Sequence, residues 1–381
     1  MEKMQITAPC HFGLEAVLKK EIIDLGYDIT RVEDGKVTFA GDAEAIVRSD
    51  IHLRTAERVL LEVGRFHAVT FDELFEGVKA LPWEDILPAN ARFWVTKASS
   101  VKSALYSPSD IQSIVKKAIV ERMKMRYHVN RFPETGASYP IRVFLMKDEV
   151  SVTLDTSGDS LHKRGYRTAH GLAPISETLA AALILLTPWK KDRILVDPFC
   201  GSGTFLIEAA LMASNTAPGA NRHFTAESWE NLIPPSLWTR VRDAAEDAVD
   251  LNAAPDLQGY DIDGMVLRGA RENADRAGVG DMIHFQQRPV KQLRHPGKYG
   301  FILTNPPYGE RMEEKKALPG IYGDLADAMD LLETWSLYMI TNYEHTEKYL
   351  RRKAAKKRKV YNGMIRTDFY MFPGPKPPRR K

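Results

Sequence analysis

The stretch that decides the fold is Asp197-Pro-Phe-Cys-Gly-Ser-Gly-Thr-Phe-Leu-Ile-Glu-Ala-Ala210. Before it, the apolar run Arg193–Val196 predicts a short buried strand, and after it Phe205–Met212 predicts the first turns of a helix. Gly201 and Gly203 predict a tight turn between the two, which brings backbone N–H groups close to a ligand. This strand–turn–helix therefore predicts a cofactor-binding core.

Length and composition set the general class of the protein. The 381 residues are enough for two or three domains, and the composition is ordinary for a globular chain. No run is apolar over the length of a membrane span, and the first residues lack the apolar core of a secretory signal. The only cysteines, Cys10 and Cys200, are too few for a disulfide framework or a thiolate zinc site. We expect a cytoplasmic protein with no membrane partner and no metal.

The net charge of +3 hides an uneven distribution along the chain. Residues 1–170 carry 24 basic and 24 acidic side chains, residues 171–347 carry 16 and 25, and residues 348–381 carry 13 and one. The densest part is Arg351–Lys359. Such a cluster indicates either a polyanionic partner or a solvated helix end, and the sequence leaves both open.

The first half of the chain reads as two small α/β units, which we assign to residues 1–64 and 65–165. In the first, strands are predicted at Ile6–Ala8 and Lys36–Phe39, and helices at Gly13–Leu25 and from Asp42 to Ser49.

The second unit contains a basic helix that begins at Ser107 as the N-cap with Pro108 at its first position. Residues 97–131 carry eight basic and two acidic side chains, which is typical of a nucleic-acid interface but also of a solvated helix. Its predicted buried face is Ile111, Val115, Ala118, Ile119 and Met123, and its basic positions include Lys116, Lys117, Arg122, Lys124 and Arg126.

The second half alternates strands with helices, which predicts a parallel α/β sheet. We assign residues 166–373 to this domain and 374–381 to a flexible basic tail. Residues 214–250 are an insertion rich in charge and tryptophan, and Asn362-Gly363 predicts a closing hairpin. The predicted strands after Asp197 are Leu257–Asp261, Met282–Gln286, Phe301–Thr304 and Leu337–Ile340.

The glycine turn does not match the phosphate-binding motifs. A P-loop needs a lysine that is missing, and a dinucleotide fingerprint needs a third glycine where Leu206 stands. Asp261 ends the next strand, where a carboxylate can accept hydrogen bonds from both hydroxyls of a ribose. Asp263 competes for that role, and either residue can instead cap the following helix.

The stretch Thr304-Asn-Pro-Pro-Tyr-Gly-Glu-Arg311 suits methyl transfer to an exocyclic amine of a base. Such an amine is a poor nucleophile because its lone pair is conjugated into the ring. Asn305 Oδ1 and the Pro306 carbonyl can accept hydrogen bonds from it and stabilise the positive charge that develops as it attacks. Tyr308 can stack on a base turned out of its helix.

Together, the Asp197 stretch and Asn305-Pro-Pro-Tyr308 resemble motifs I and IV of class I S-adenosylmethionine-dependent amino-methyltransferases. With Leu161-His-Lys-Arg-Gly-Tyr-Arg167, Ala173-Pro-Ile-Ser-Glu177 and Tyr361-Asn-Gly363, the chain resembles the THUMP-domain RNA guanine-N2 methyltransferases, including the N-terminal module of the large-subunit rRNA methyltransferase RlmL. The resemblance covers nearly the whole chain. It implies a Rossmann-like class I methyltransferase sheet with a terminal antiparallel hairpin, preceded by ferredoxin-like and THUMP α+β domains.

The resemblance also implies roles for individual residues. Asp197, Phe199, Gly201 and Gly203 would bind S-adenosylmethionine with Glu177, on the helix entered through Pro174. Asp261 would hold its ribose, and Asn305, Pro306 and Tyr308 would be catalytic. The expected RNA contacts are Lys116, Lys117, Lys124, Arg126 and Arg164.

One position departs from the family pattern. The third strand of the sheet normally leads into an Asp that contacts the adenine amino group, but here Arg288-Pro289 follows Gln287. We assign Gln287 or backbone groups to that contact and leave the choice open.

The expected activity is methylation of a guanine N2 amine in RNA, with 23S rRNA as the expected partner. The alternatives are a tRNA guanine-N2 methyltransferase, an adenine-N6 DNA methyltransferase, and a non-catalytic RNA-binding ribosome-assembly factor.

Overall fold

The computed structural model describes residues 3–129, 131–167, 175–309 and 312–378, and the chain folds into two compact units. The first unit comprises residues 1–10, 19–161 and 222–244, and the second comprises residues 11–18, 162–221 and 245–381. Of the residues in the predicted motifs and tail, Ala173, Pro174, Glu310, Arg311 and the last three residues of the chain lie outside the described part.

The described strands are, in chain order, β1 (Met4–Pro9), β2 (Asp28–Glu33), β3 (Lys36–Gly41), β4 (Leu60–His67), β5 (Arg92–Val101), β6 (Ser138–Met146), β7 (Glu149–Asp155), β8 (Leu195–Asp197), β9 (Leu257–Asp261), β10 (Ile283–Gln287), β11 (Phe301–Thr304), β12 (Ser336–Thr341), β13 (Lys356–Asn362) and β14 (Ile365–Phe372). The described helices are α1 (Glu15–Asp24), α2 (Ala43–His52), α3 (Phe71–Lys79), α4 (Trp83–Ile86), α5 (Pro108–Tyr127), α6 (Glu177–Leu185), α7 (Thr204–Ala213), α8 (Pro235–Asp247), α9 (Gly264–Arg276), α10 (Met312–Leu331) and α11 (Thr346–Leu350).

One continuous sheet runs through the first unit, in the order β2-β3-β1-β4-β7-β6-β5. Its neighbouring strands pair antiparallel, apart from the parallel pair β5 and β6. The boundary that the sequence suggests after residue 64 falls inside β4, which pairs with β1 on one side and with β7 on the other. The strands of the two expected N-terminal domains are therefore hydrogen-bonded into a single sheet.

The basic helix α5 has the predicted buried face, which consists of Ile111, Val115, Ala118, Ile119 and Met123. Ser107 is its N-cap, because its side chain accepts a hydrogen bond from the backbone N–H of Asp110, and Pro108 occupies the first turn. The apolar spacing thus determines which side of the helix faces the sheet, and the lysines and arginines take the remaining positions.

Residues 222–244 of the insertion belong to the first unit, although they lie between elements of the second in sequence. Trp229 is fully buried and stacks on Tyr139 of β6, with the ring centroids 4.9 Å apart. Its indole N–H donates to the Ser138 carbonyl at 2.8 Å, and the Tyr139 hydroxyl donates to Asn231 Oδ1 at 2.7 Å. The insertion therefore supplies core side chains to the N-terminal sheet.

The second unit contains the predicted parallel sheet, in the order β10-β9-β8-β11-β12-β14-β13. The strands from β10 to β12 pair parallel, whereas β14 pairs antiparallel with both β12 and β13. From β8 the chain continues to β9 and β10 on one side of the sheet, and then returns to β11 and β12 on the other side. The Rossmann-like sheet with a terminal antiparallel hairpin is therefore confirmed.

Several elements escape sequence reasoning. The strands β2 and β4 and the long helix α10 are not predicted, and α10 contains Pro319 in its interior. The basic run begins at a helix end, because Arg351 is the C-cap of α11, but its residues from Lys356 onward form the edge strand β13. Just before this strand, Arg351 forms ion pairs with Asp327 and Asp330 of α10, so part of the basic charge is neutralised within the chain.

Among the described residues, no helix combines the length and the apolar character that crossing a membrane requires.

Replacing Trp229 by alanine tests the role of the insertion in the first unit. Because the indole is fully buried and hydrogen-bonded, Trp229→Ala should lower the free energy of unfolding by about 3–5 kcal/mol. Denaturant unfolding measures the loss. Trp94→Ala is the matched control, since Trp94 lies on β5 of the same sheet but is 38% exposed, and it should cost clearly less. Equal losses for the two variants would contradict the assignment.

Candidate active site

The candidate site lies at the carboxyl ends of β8 and β11, where the strand order of the second sheet reverses. These two strands are parallel neighbours, paired as Phe301 with Leu195 and Ile302 with Val196. Loops that follow adjacent parallel strands on either side of such a reversal form a crevice, which is the usual ligand site of open α/β sheets. The glycine turn follows β8, and the Asn-Pro-Pro-Tyr loop follows β11.

Asp197, at the end of β8, links the glycine turn to the end of β11 through hydrogen bonds of its side chain. Its carboxylate is almost completely buried, and Oδ1 accepts hydrogen bonds from Thr304 Oγ1 at 2.6 Å and from the Phe199 N–H at 3.2 Å. Burial raises the pKa of Asp197 to about 7, with a further contribution from the nearby Asp261, although the two hydrogen bonds favour the ionised form. A cation bound beside Asp197 would therefore meet a carboxyl group that ionises close to neutral pH.

The turn after β8 depends on its two glycines. Gly201 and Gly203 have φ angles of +51° and +81°, a region that other residues rarely adopt. A Cβ on Gly203 would also lie only 3.1 Å from the Phe285 ring. Gly203 is the N-cap of α7, which starts at Thr204, so the turn leads directly into a helix N-terminus.

The structure distinguishes the two aspartates after β9. Asp263 is the N-cap of α9, and its Oδ1 accepts from the backbone N–H groups of Met265 and Val266 at 2.8 and 3.4 Å. Asp261 instead faces the glycine turn, where its Oδ2 accepts from the Gly201 N–H at 3.1 Å. Burial raises the pKa of Asp261. Asp261 is therefore the carboxylate that lies beside the turn, while Asp263 serves the helix.

The loop after β11 holds its polar groups close together. Pro306 is buried, Asn305 and Tyr308 are half-buried, and the Tyr308 hydroxyl donates a hydrogen bond to Asn305 Oδ1. This bond orients the Asn305 carbonyl and uses one of its two lone pairs, so a second donor can still approach the same oxygen. Gly309 then turns the chain toward α10 with φ +74°.

The other expected cofactor residues, Glu177, Phe199 and Gln287, differ in burial and in their partners within the second unit. Glu177, at the start of α6, is buried and pairs with Arg167 at 3.3 Å, and burial raises its pKa. Phe199 is half-buried in the turn. Gln287 ends β10 and donates through Nε2 to the Ile262 carbonyl at 2.8 Å, while the Arg288 guanidinium lies 4.8 Å from the centre of the Tyr260 ring. Gln287 thus reaches the strand end that carries Asp261.

The expected RNA contact at Arg164 is wrong. Its side chain is only 3% exposed and pairs with the fully buried Glu208 of α7 at 3.5 Å, and Glu208 also accepts from the Tyr166 hydroxyl at 3.1 Å. A buried guanidinium needs a buried carboxylate as partner, so the Arg164 side chain is engaged inside the second unit and does not face an RNA. In the sequence, the burial of Arg164 is indicated only by Glu208, an acidic residue within the otherwise apolar predicted helix that requires a buried basic partner.

The remaining RNA candidates lie on α5 in the first unit. Lys116, Lys117 and Arg126 are exposed, and Lys124 is half-buried beside Glu121 at 3.0 Å. Arg122, by contrast, forms two hydrogen bonds with Glu84 at 2.6 and 2.9 Å, so its charge is engaged within the unit. Three of the four predicted residues therefore present charge to solvent.

Two groups of site residues were not found from the sequence. Thr304 precedes the Asn-Pro-Pro-Tyr motif, and only the structure reveals its bond to Asp197. The second group is Asn342–His345, which follows β12 and lies against the Tyr308 loop around a shared pocket. The rule that ligands bind beyond the carboxyl ends of parallel strands points to this loop as well, because β12 pairs parallel with β11.

Family models match three successive parts of the chain. A model described as "RlmL ferredoxin-like domain" matches residues 5–60, the THUMP domain matches residues 68–155, and a model described as "RMKL-like, methyltransferase domain" matches residues 164–370.

Three similar proteins match over nearly their whole length. A protein of Bacillus subtilis (strain 168), named "Putative RNA methyltransferase YpsC", is 48% identical over 383 residues, which covers 100% of this chain and 99% of the relative. The crystal structure of SMU.472 complexed with SAH is 42% identical, with a TM-score of 0.94, over 99% of this chain and 100% of that one. The crystal structure of a "predicted N6-adenine-specific DNA methylase" from Listeria monocytogenes str. 4b F2365 is 49% identical, with a TM-score of 0.93, over 98% and 97%.

Replacing Thr304 by valine removes the hydrogen bond that joins the two loops while keeping the side-chain volume. Because Thr304 and Asp197 are both buried, Thr304→Val should lower the free energy of unfolding by about 1–3 kcal/mol at about pH 8, where Asp197 is largely ionised. Thr304→Ser keeps the hydroxyl and is the control. Denaturant unfolding of the three proteins gives the comparison, and a valine variant as stable as the parent would refute the role of this bond.

Proposed function

Since the chain belongs to the RMKL-like methyltransferase family, we propose that it transfers a methyl group from S-adenosylmethionine to the exocyclic N2 amine of a guanine in RNA, with 23S rRNA as the substrate. The observation that carries the proposal is the pairing of the Asp197 turn with the Asn305-Pro-Pro-Tyr308 loop across one hydrogen bond. A protein that only binds RNA needs neither feature.

The crevice suits the chemistry of the cofactor. Asp197 offers a buried carboxyl group to the ammonium of the methionine part, and Asp261 offers a carboxylate to the ribose hydroxyls. Gly201 leaves open space beside the backbone of the turn, because the nearest atom to a Cβ at this position would be the Phe199 carbonyl oxygen at 4.0 Å. S-adenosylmethionine, when bound, supplies an electrophilic methyl group on a positively charged sulfur. The complex of SMU.472 with SAH supports the same ligand class for this chain.

The loop after β11 would hold the amine of the target base. Asn305 Oδ1 and the Pro306 carbonyl accept hydrogen bonds from its two N–H groups. The attacking nitrogen gains positive charge as its bond to the methyl carbon forms and the methyl–sulfur bond breaks, with S-adenosylhomocysteine as the leaving group. The two acceptors stabilise that charge, and the product then loses a proton to water. Tyr308 stacks on the base and also keeps the Asn305 carbonyl in orientation through its hydroxyl.

The choice of RNA rests on the first unit and on the relatives. A THUMP domain is present, the B. subtilis relative is named as an RNA methyltransferase, and α5 exposes Lys116, Lys117 and Arg126. Exposed cations on one helix attract phosphates without reading the sequence, so they are suited to presenting an RNA rather than choosing its base. The preference for 23S rRNA follows from the resemblance to RlmL.

One observation favours a second candidate, adenine-N6 methylation of DNA. The L. monocytogenes relative carries that description, and an Asn-Pro-Pro-Tyr loop can hold an adenine amine by the same two hydrogen bonds. The THUMP domain weighs toward RNA. A tRNA guanine-N2 methyltransferase would differ only in its RNA substrate. Measuring methyl transfer to rRNA and to tRNA separately distinguishes the two activities.

The raised pKa of Asp197 predicts a pH-dependent affinity for S-adenosylhomocysteine. The ammonium group of S-adenosylhomocysteine binds the ionised form of Asp197. Below pH 7 this carboxyl group is mostly protonated, so binding must remove its proton. The dissociation constant should therefore fall about tenfold from about pH 6 to about pH 8. Asp197→Asn should bind more weakly and with little pH dependence. Isothermal titration calorimetry measures both, and parallel pH profiles for the two proteins would contradict the assignment.

Replacing Asn305 by alanine tests the proposed amine site. Asn305→Ala removes one acceptor for the developing charge, and methyl transfer to RNA should fall by at least about 100-fold, while RNA binding stays within about twofold. Labelled-methyl incorporation and filter binding measure the two quantities. Asn252→Ala, at an exposed position of the second unit, is the matched control and should be fully active. Equal activity of Asn305→Ala and the parent would sink the mechanism.

A further inference from the structure

A pocket of about 420 Å³ opens beside the Asn305 loop in the second unit, within the size range of small-molecule sites. Its walls include Tyr308 and Gly309 from the loop after β11 and Lys315 and Leu318 from α10. The loop after β12 completes it with Asn342, Tyr343, Glu344 and His345. The proposed function uses only Tyr308 among these residues, so the rest of the pocket has no assigned role.

The sheet brings the two loops together. The strands β11 and β12 are parallel neighbours, paired as Leu303 with Tyr338 and Thr304 with Met339, so both loops leave the same edge. Gly309 holds α10 close to them, because a Cβ at this position would lie 2.9 Å from both Leu318 Cδ1 and Lys315 Cγ. Tyr308 lines the pocket and bonds to Asn305, so a group held at Asn305 and stacked on Tyr308 would lie next to this pocket.

The far wall of the pocket is aromatic and well supported. The Tyr343 ring lies 4.9 Å from the ring of the fully buried Tyr322 and 6.0 Å from that of Tyr349, measured between centroids. The His345 ring meets Tyr343 edge-on at 5.7 Å. Tyr322 is itself held by a 2.7 Å hydrogen bond to the buried Thr341. Rings fixed in this way offer a planar base a preformed surface.

Glu344 is the only acidic group among the described residues that line this pocket. A carboxylate accepts hydrogen bonds and cannot donate them. The Watson–Crick edge of guanine presents two adjacent donors, N1–H and the N2 amine, whereas adenine presents an acceptor, N1, beside its amine. If the amine is held at Asn305, the neighbouring ring position is a donor only in guanine.

We propose that this pocket binds the flipped target base and that Glu344 selects guanine by accepting its N1–H, with Tyr343 and His345 as the ring-contacting wall. The inference deepens the proposed function and rests on it, because the site of transfer defines where the base enters. Adenine would place the N1 lone pair against the carboxylate, which is repulsive, and so would be rejected at this position. The specificity for guanine over adenine thus resides in the loop after β12 rather than in the Asn-Pro-Pro-Tyr loop.

The test compares Glu344→Gln and Glu344→Ala with Glu333→Gln, which alters an exposed carboxylate just before β12, at the opposite end of that strand. Each protein is given labelled S-adenosylmethionine and rRNA from cells lacking the enzyme. Both Glu344 variants should lose about tenfold to hundredfold in kcat/KM for N2-methylguanosine formation, with an unchanged dissociation constant for S-adenosylhomocysteine. The Glu333 variant should behave as the parent.

A second experiment measures nucleotide binding and does not require catalytic turnover. With S-adenosylhomocysteine present, the parent should bind GMP at least about tenfold more tightly than AMP or 1-methyl-GMP, as seen by ligand NMR, and Glu344→Ala should lose this preference. If the parent forms N2-methylguanosine but Glu344→Ala matches it and GMP has no advantage, the pocket assignment alone is overturned. If label appears only in adenine, the proposed function fails with it. If no nucleoside is labelled, the function fails, and the GMP preference still decides the pocket.

Discussion

The site depends on one buried hydrogen bond, from Thr304 Oγ1 to Asp197 Oδ1. It joins the ends of two adjacent parallel strands, β8 and β11, and thereby fixes the glycine turn relative to the Asn305 loop. The sheet alone places these strands side by side, but it leaves the loops beyond them free to diverge. A short bond between two buried side chains sets their separation, and a methyl transfer in line requires such a fixed distance between donor and acceptor.

Burial also changes the ionisation of the Asp197 carboxyl group. Asp197 accepts two hydrogen bonds, yet loss of solvent raises its pKa to about 7. Asp261, whose pKa is raised for the same reason, lies on the next strand and contacts the turn through the Gly201 N–H. Two acidic groups at one strand edge disfavour each other's ionisation, and a positively charged ligand bound beside them would favour the ionised form.

Much of the second unit could be predicted from the sequence because local patterns coincide with its architecture. Apolar runs that end in Asp197, Asp261 and Thr304 are strands, and Asn362-Gly363 is the turn of the hairpin. The strand β4 and the pairing of Trp229 with Tyr139 could not be predicted, since they depend on contacts between residues that are far apart in sequence. The burial of Arg164 has the same origin, because a basic side chain reveals its buried partner only after folding.

The clearest division in the molecule is between holding the methyl donor, holding the amine and choosing the base. We assign Asp197 and Asp261 to the first task, Asn305 and Tyr308 to the second, and Glu344 to the third. The most direct measurement is transfer of labelled methyl groups from S-adenosylmethionine to rRNA, tRNA and DNA isolated from cells lacking this protein, followed by identification of the labelled nucleoside. The account predicts N2-methylguanosine in rRNA. Label confined to N6-methyladenine in DNA would contradict it.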